Sequence, residues 1–301
     1  MKCLITGGAG FIGGHLARDL IKRGHEVKLV DNFFHPTKEP HDDVEYADVR
    51  YYDMIEPFVE WADWVFHLSA QIHVDWSIKH PRHTLDTNVM GTLNVLEAVK
   101  KHGKKMVFAS TSEVYGTSQS DFMDESHPLD AQSAYGASKV AGDRLCKSYA
   151  DMYGTRVVIL RNFNTFGEWQ NDTSYGSVIS IFTRKALAGD PLTIYGDGTQ
   201  ERDYMHVKDA VAGYILCMEQ GQPGEVINIG SGKTICINDL ARCIIDVTGS
   251  SSQIEHIDAR PGEVQRLCAN ITKAKEKGFV PKTDFNKDLT RYINWYGESK
   301  D

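Results

Sequence analysis

The chain has 301 residues, enough to bury the core of one large domain or two smaller ones. Its formal charge is −8, with no long Lys/Arg run, which argues against a nucleic-acid or anionic-membrane surface. Six scattered cysteines form no C-x-x-C pair and twelve histidines form no H-E-x-x-H, so a reduced, cytoplasmic protein without a metal site is expected.

Lys2–Thr6 reads as a short buried strand, so the N-terminus reads as core and not as a secretory leader. No apolar run is long enough to span a bilayer. Gly7, Gly10 and Gly13 follow the strand, with Phe11 and Ile12 opening a helix. The G-x-x-G-x-x-G spacing allows a tight turn, close approach of the backbone to a pyrophosphate, and close packing of helix on strand. The helix N-terminus then offers unpaired N–H groups to the anion. A second strand at 26–30 leads into Asp31. An acid there accepts hydrogen bonds from the adenosine ribose and repels a 2′-phosphate. Asn32, Phe33 and Phe34 add no cation, so NAD is expected in preference to NADP.

Strands at 44–48, 64–68, 105–109 and 155–160 alternate with helices at 87–102 and 134–152. That alternation predicts an α/β fold, a Rossmann-type doubly wound parallel sheet. From residue 168 the texture becomes polar and the elements shorten. Helices at Val178–Ala188, 209–219, 238–248 (capped by Asn238) and 285–296 accompany strands at Leu192–Tyr195, Val226–Ile229 and 252–257. Residues 1–167 are expected to bind NAD. Residues 168–301 are expected mainly to form a smaller C-terminal substrate-binding lobe, with some segments returning to the sheet.

In such a sheet chemistry gathers beyond the carboxyl ends of the strands. Two segments qualify. Tyr135 and Lys139, in YGASK, share one helix face. An ammonium beside a phenol lowers its pKa, and a phenolate can take a proton from a sugar hydroxyl as hydride leaves for NAD. Lys139 can also reach the nicotinamide ribose. The second segment is ASTSEVYG after the strand at 105–109, where Thr111 can bond the reacting oxygen. Glu113, two residues on, can act as a base on a neighbouring carbon.

Taken in order, TGGAGFIG, Asp31, ADVR, HLSAQ, NVMGTLNVLEA, STSEVYG, YGASK, RNFNTFG, IYGDGTQERDYMHVKD, INIG and RPGE cover nearly the whole chain. The sequence is similar to the extended short-chain dehydrogenases/reductases of the NAD-dependent nucleotide-sugar epimerase/dehydratase family. The resemblance implies a nucleotide-diphosphate-sugar substrate and a homodimer paired through the helices at 87–102 and 134–152. It also implies adenine contacts at Asp48 and Val49, and a cofactor-facing strand edge at Leu68, Ser69 and Ala70. Asn32 joins the cofactor set and Thr111, Tyr135 and Lys139 form the triad. Asn164, Arg202, Arg260 and Glu263 resemble the substrate-holding residues; a guanidinium fork suits a diphosphate.

Three reactions share this start: 4-epimerisation, 4,6-dehydration and decarboxylation. Glu113 stands where similar dehydratases place their C5 base, and STSEVYGT with DESHPLDAQSAYGASK is especially similar to dehydratases of UDP-N-acetylglucosamine. Decarboxylases also carry T-S-E. Ser112 departs from dTDP-glucose-type dehydratases, which have an acid there, so protonation of the leaving hydroxyl falls to Glu113 or water. Glu168 and Trp169 replace the proline and frequent arginine of the family. A catalytically idle NAD-sensing scaffold is the alternative from another class. The complete triad argues against it.

Overall fold

The computed structural model describes residues 1–34, 43–173, 176–259 and 264–299. The strands in chain order are β1 (Lys2–Thr6), β2 (Glu26–Asp31), β3 (Val44–Tyr46), β4 (Trp64–His67), β5 (Lys105–Thr111), β6 (Arg156–Asn162), β7 (Asn164–Phe166), β8 (Leu192–Tyr195), β9 (Glu201–His206), β10 (Val226–Ile229), β11 (Thr234–Cys236), β12 (Ile254–Ile257) and β13 (Arg266–Leu267). The α-helices are α1 (Phe11–Lys22), α2 (Tyr52–Trp61), α3 (Val74–Lys79), α4 (Pro81–Leu85), α5 (Gly91–Lys101), α6 (Ala134–Tyr153), α7 (Val178–Ala188), α8 (Val207–Gln220), α9 (Ile237–Thr248), α10 (Thr272–Glu276) and α11 (Phe285–Glu298).

Seven strands form one parallel sheet in the order β10-β6-β5-β4-β1-β2-β3. The strand order reverses at β1, between β2 and β4, and opens a crevice at their carboxyl ends. Leu16, Leu20, Phe66 and Tyr214 pack one face of the sheet with α1 and α8. Ile55, Val95, Phe108 and Cys146 pack the other with α2, α5 and α6. The Rossmann-type sheet expected from the alternation is present, and β10 and α8 return to it from beyond residue 168.

A smaller lobe holds the sheet β11-β9-β13, with β7 also pairing β9, and the parallel pair β8–β12. Phe182, Leu240, Ile244 and Tyr292 give it a core of its own.

Several elements differ from the sequence expectation. β5 runs on through Thr111, so Ser110 and Thr111 end the strand and do not follow it. Helix α2 escapes pattern reading because Pro57 lies inside it. The expected helix at 87–102 begins as a π-helical turn, Asp86–Met90, before α5. Helix α9 is capped by Cys236, whose Sγ accepts from Asp239 N–H at 3.4 Å. Asn238 instead donates its Nδ2 to the Asp197 carbonyl at 2.8 Å. Residues 201–206, which no pattern in the sequence marked as a strand, form β9 because β11, β13 and β7 supply partners from elsewhere in the chain.

Candidate active site

A cavity of about 730 Å³ lies across the carboxyl ends of the main sheet and reaches the smaller lobe. At one end is the glycine turn. Gly7 has φ 76°, and a Cβ there would stand 2.8 Å from Ser69 N on the neighbouring strand edge. A Cβ on Gly13 would lie 2.3 Å from the Gly7 carbonyl, so α1 packs directly on the turn. Gly10 is the N-cap of α1 and brings no capping side chain. The first N–H groups of α1, at Phe11 and Ile12, therefore open at the cavity wall.

Asp31 ends β2 on the same wall. Its carboxylate accepts from Ala9 N–H at 3.1 Å and Phe33 N–H at 2.8 Å. Burial raises its pKa, and these main-chain donors oppose the rise. Asn32 donates to Asp48 at 3.2 Å. The Asp48 carboxylate also takes Arg50 at 2.5 Å, so it is committed within the protein. Ala47 and Val49 make the wall beside it, and Leu68, Ser69 and Ala70 line the strand edge. Phe34, Ile72 and His83 complete this end. No motif in the sequence marked them.

The reactive end forms where β5 and α6 meet. Thr111 is the last residue of β5, and its Oγ1 accepts from Glu113 N–H at 3.3 Å. Tyr135 is the second residue of α6, which Ser133 caps by accepting from Gly136 N–H at 3.0 Å. The Tyr135 side chain is hydrogen-bonded to Thr111. Lys139, 4% exposed, donates from Nζ to the Ala109 carbonyl at 2.9 Å. Glu113 and the buried Ser112 also line the cavity.

Electrostatics correct one expectation. The ammonium was expected to lower the Tyr135 phenol. Burial instead pushes the phenol up, with Glu113 adding to the rise and the Thr111 hydrogen bond opposing it. Lys139 is itself pulled down to about 8 by burial, against the pull of Asp143.

Sequence reasoning also missed the groups that hold Tyr135 in place. Its N–H donates to Ser77 Oγ at 3.1 Å, and its carbonyl accepts from Ser138 Oγ at 2.6 Å. Asn88, in the π-helical turn, donates from Nδ2 to Ser138 Oγ and to the Gln71 carbonyl, both at 2.8 Å. Its Oδ1 accepts from Gln71 N–H at 2.7 Å. The NVMGT segment held Asn88 in plain view, but its partners, Gln71 and Ser138, come from two separate segments.

Asn164 lines the cavity from β7 and donates to the Asp203 carbonyl at 3.3 Å. Arg202 lines it from β9. Arg260 and Glu263 lie outside the described residues. Among the described residues no group of three or more His, Cys, Asp or Glu could hold a metal. No described helix is long and apolar enough to cross a membrane.

A parallel sheet with a glycine turn, an acid at the end of the second strand and a Tyr/Lys pair at its carboxyl edge defines a dinucleotide-dependent enzyme of the short-chain dehydrogenase type. The family described as "NAD dependent epimerase/dehydratase family" matches residues 3–230, and the chain belongs to it. It is 38% identical to a UDP-N-acetyl-α-D-glucosaminuronate decarboxylase of Bacillus cytotoxicus, covering 99% of this chain and 98% of that one. It superposes on a UDP-glucose 4-epimerase of Thermotoga maritima with TM-score 0.95 and 32% identity, covering 100% of both chains. A dTDP-glucose 4,6-dehydratase of Streptomyces venezuelae with NAD bound gives TM-score 0.93 and 30% identity, covering 100% of this chain and 98% of that one. NAD is the cofactor, and the open helix N-terminus, the glycines without Cβ atoms and Asp31 fit it.

Proposed function

We propose that the protein is a nucleotide-sugar 4,6-dehydratase acting on a UDP-sugar such as UDP-N-acetylglucosamine. The observation that carries this is the Glu113 carboxylate on the cavity wall, close enough to the Tyr135 phenol to raise it electrostatically. Epimerisation and decarboxylation need no second base. Elimination across C5 and C6 does.

Bound NAD supplies reversible hydride exchange at a carbinol carbon, and a positive charge beside the phenol. The chain's own side chains handle the protons. Tyr135 takes the C4 hydroxyl proton, with Thr111 holding the same oxygen and Lys139 stabilising the phenolate. A C4 ketone acidifies the C5 proton, which Glu113 removes. The C5–H electron pair becomes the C5–C6 double bond as the C6–O bond breaks. Glu113 returns its proton to the departing hydroxyl, which leaves as water. Ser112 supplies no acid for that step, so a single carboxylate serves both. C6 then takes the hydride back and C5 takes a proton passed on from Tyr135, so the net change is loss of water alone.

Nucleotide-sugar binding falls mainly to residues 168–301, with Asn164 and Arg202 on the diphosphate and Arg260 and Glu263 completing the site. We expect two chains to pair through α5 and α6, and sedimentation at micromolar protein tests this. Among the described residues walling the cavity, the Lys and Arg side chains are those of Lys139 and Arg202. Lys139 is committed to Ala109, so an uncharged C6 suits this wall better than a C6 carboxylate. The 38%-identical relative named a decarboxylase supports decarboxylation as the second reading. Epimerisation is the third, supported by the superposition on an epimerase.

Incubation with UDP-N-acetylglucosamine, UDP-glucose, dTDP-glucose and UDP-glucuronate separately, followed by product masses, tests the proposal. Loss of water is expected. Loss of carbon dioxide, or unchanged mass with inverted C4, overturns it. E113Q should still oxidise C4, seen as a change in bound-cofactor absorbance, and stall before elimination. No absorbance change in the unmutated protein with any nucleotide sugar would leave a binding module.

A further inference from the structure

Helix α6 carries a third buried ionisable side chain behind the catalytic pair. Tyr135, Lys139 and Asp143 occupy positions i, i+4 and i+8, so they fall along one side of the helix. They are 8%, 4% and 2% exposed. Asp143 Oδ2 accepts from Arg161 Nε at 2.7 Å in an ion pair whose side chains are 5% and 2% exposed. Arg161 is fixed in turn: Nη1 donates to Tyr115 Oη at 3.0 Å and to the Glu125 carbonyl at 3.2 Å. The Tyr115 hydroxyl donates to Asn228 Oδ1 at 2.6 Å. Lys139, by contrast, is hydrogen-bonded to a neutral carbonyl and lies over the Phe108 ring at 5.1 Å.

An ammonium buried against a carbonyl and a ring loses its proton readily unless an anion stands near. The ionisable groups around Lys139 can be named element by element. Cys146 on α6 is raised well above its ordinary value by burial and stays a neutral thiol. His67 on β4 is drawn down to about 3 by burial and the Lys139 charge, and stays neutral. Tyr115, after β5, is pushed up to about 12 by burial. Glu113 acts from the far side, on the phenol. Arg161 on β6 is a cation. Asp143 is the carboxylate on the buried side: burial raises its pKa, and Arg161, Ser110 and Lys139 oppose the rise.

We infer that Asp143 is a positioning residue that keeps Lys139 an ammonium at neutral pH, its single negative charge shared between Lys139 and Arg161. With Tyr135 as a phenol, the Lys139, Asp143 and Arg161 group carries one net positive charge. Ionising Tyr135 brings the four side chains to neutrality. The ion pair thus favours the phenolate that proton abstraction needs, although neither Asp143 nor Arg161 lines the cavity. This rests on the catalytic role given to Lys139 above, and the primary test does not use turnover.

The test is NMR titration of the Lys139 Nζ in ¹⁵N-lysine-labelled, NAD-bound protein, with the signal assigned by its loss in K139M. In D143N the Lys139 pKa should fall by about one to two pH units. In D143E, which keeps the charge, it should stay within about half a unit of the unmutated value. D143N leaves Arg161 buried without its partner, a change that can prevent folding. The double variant D143N/R161Q removes the pair together and should lower Lys139 as D143N does. The alkaline limb of kcat should move down with the titration, leaving kcat near pH 6 much closer to the unmutated value than at pH 8. An unchanged Lys139 titration in D143N and the double variant, with turnover reduced equally at every pH, overturns the inference. Turnover retained in K139M counts against the catalytic role of Lys139 and leaves the titration result standing.

Discussion

The Glu168 carboxylate lies 3.0 Å from Nε2 of His206, and its other oxygen lies 3.2 Å from Nε of Arg291. Lys208 N–H donates to His206 Nδ1 at 3.2 Å, and Arg291 Nη2 lies 2.8 Å from the Nε2 that faces Glu168. The Glu168 carbonyl also meets His15 Nε2 at 2.9 Å. The next residue, Trp169, has φ 64° and packs its ring at 4.0 Å from the Arg18 guanidinium and 5.7 Å from Trp295. Glu168 and Trp169 thereby tie helix α1 to β9 and α11 of the smaller lobe.

This junction makes acid stability depend on Glu168. Burial opposes its charge, but His206 and Arg291 hold its carboxyl down to about 2. The folded value lies below the unfolded one, so the stabilisation is present above the ordinary carboxyl range and is lost as pH falls towards 2. E168Q should cost about 2 kcal/mol at pH 7. Denaturant unfolding across a pH series should show the gap closing below about pH 5. A gap of constant size down to the lowest pH would count against the ion pair as its source.

G13A should disrupt the cofactor turn, because the new methyl would lie 2.3 Å from the Gly7 carbonyl. Backbone must shift to admit it, costing about 1–3 kcal/mol in thermal or denaturant unfolding. NAD affinity should fall by at least about tenfold by calorimetry. Tight NAD binding in G13A would show that the turn relaxes without loss.

Asp31 is expected to set the choice between NAD and NADP. D31A removes the acceptor for Ala9 and Phe33 N–H and the charge that repels a 2′-phosphate. NAD affinity should weaken by about tenfold, while NADP affinity holds or rises. Equal affinity for both cofactors in the unmutated protein would refute the assignment.

Y135F keeps the ring and the main-chain bonds to Ser77 and Ser138, and removes only the hydroxyl. Turnover should drop by about 10²-fold or more, with NAD affinity within about threefold of the unmutated protein. Steady-state kinetics and a cofactor titration read the two effects separately. Turnover near the unmutated rate would remove Tyr135 from the chemistry.

What the sequence by itself determined is local. The glycine turn, Asp31 at the end of the second strand and the Tyr135–Lys139 pair each depend on residues a few positions apart on one turn, strand end or helix face. Period and spacing therefore report them directly. The strand alternation likewise predicts the parallel sheet, since β4, β5 and β6 each carry a continuous apolar run. Tertiary structure alone decided the clamp on Tyr135, where Asn88 reaches Ser138 across 50 positions of chain. It also decided the Arg161–Asp143 pair, the formation of β9, and the replacement of Asn238 by Cys236 as the cap of α9. The direction of the Tyr135 shift belongs with these. Spacing placed the ammonium near the phenol, but the outcome depends on burial, a property of every element packed around the group and of no segment alone.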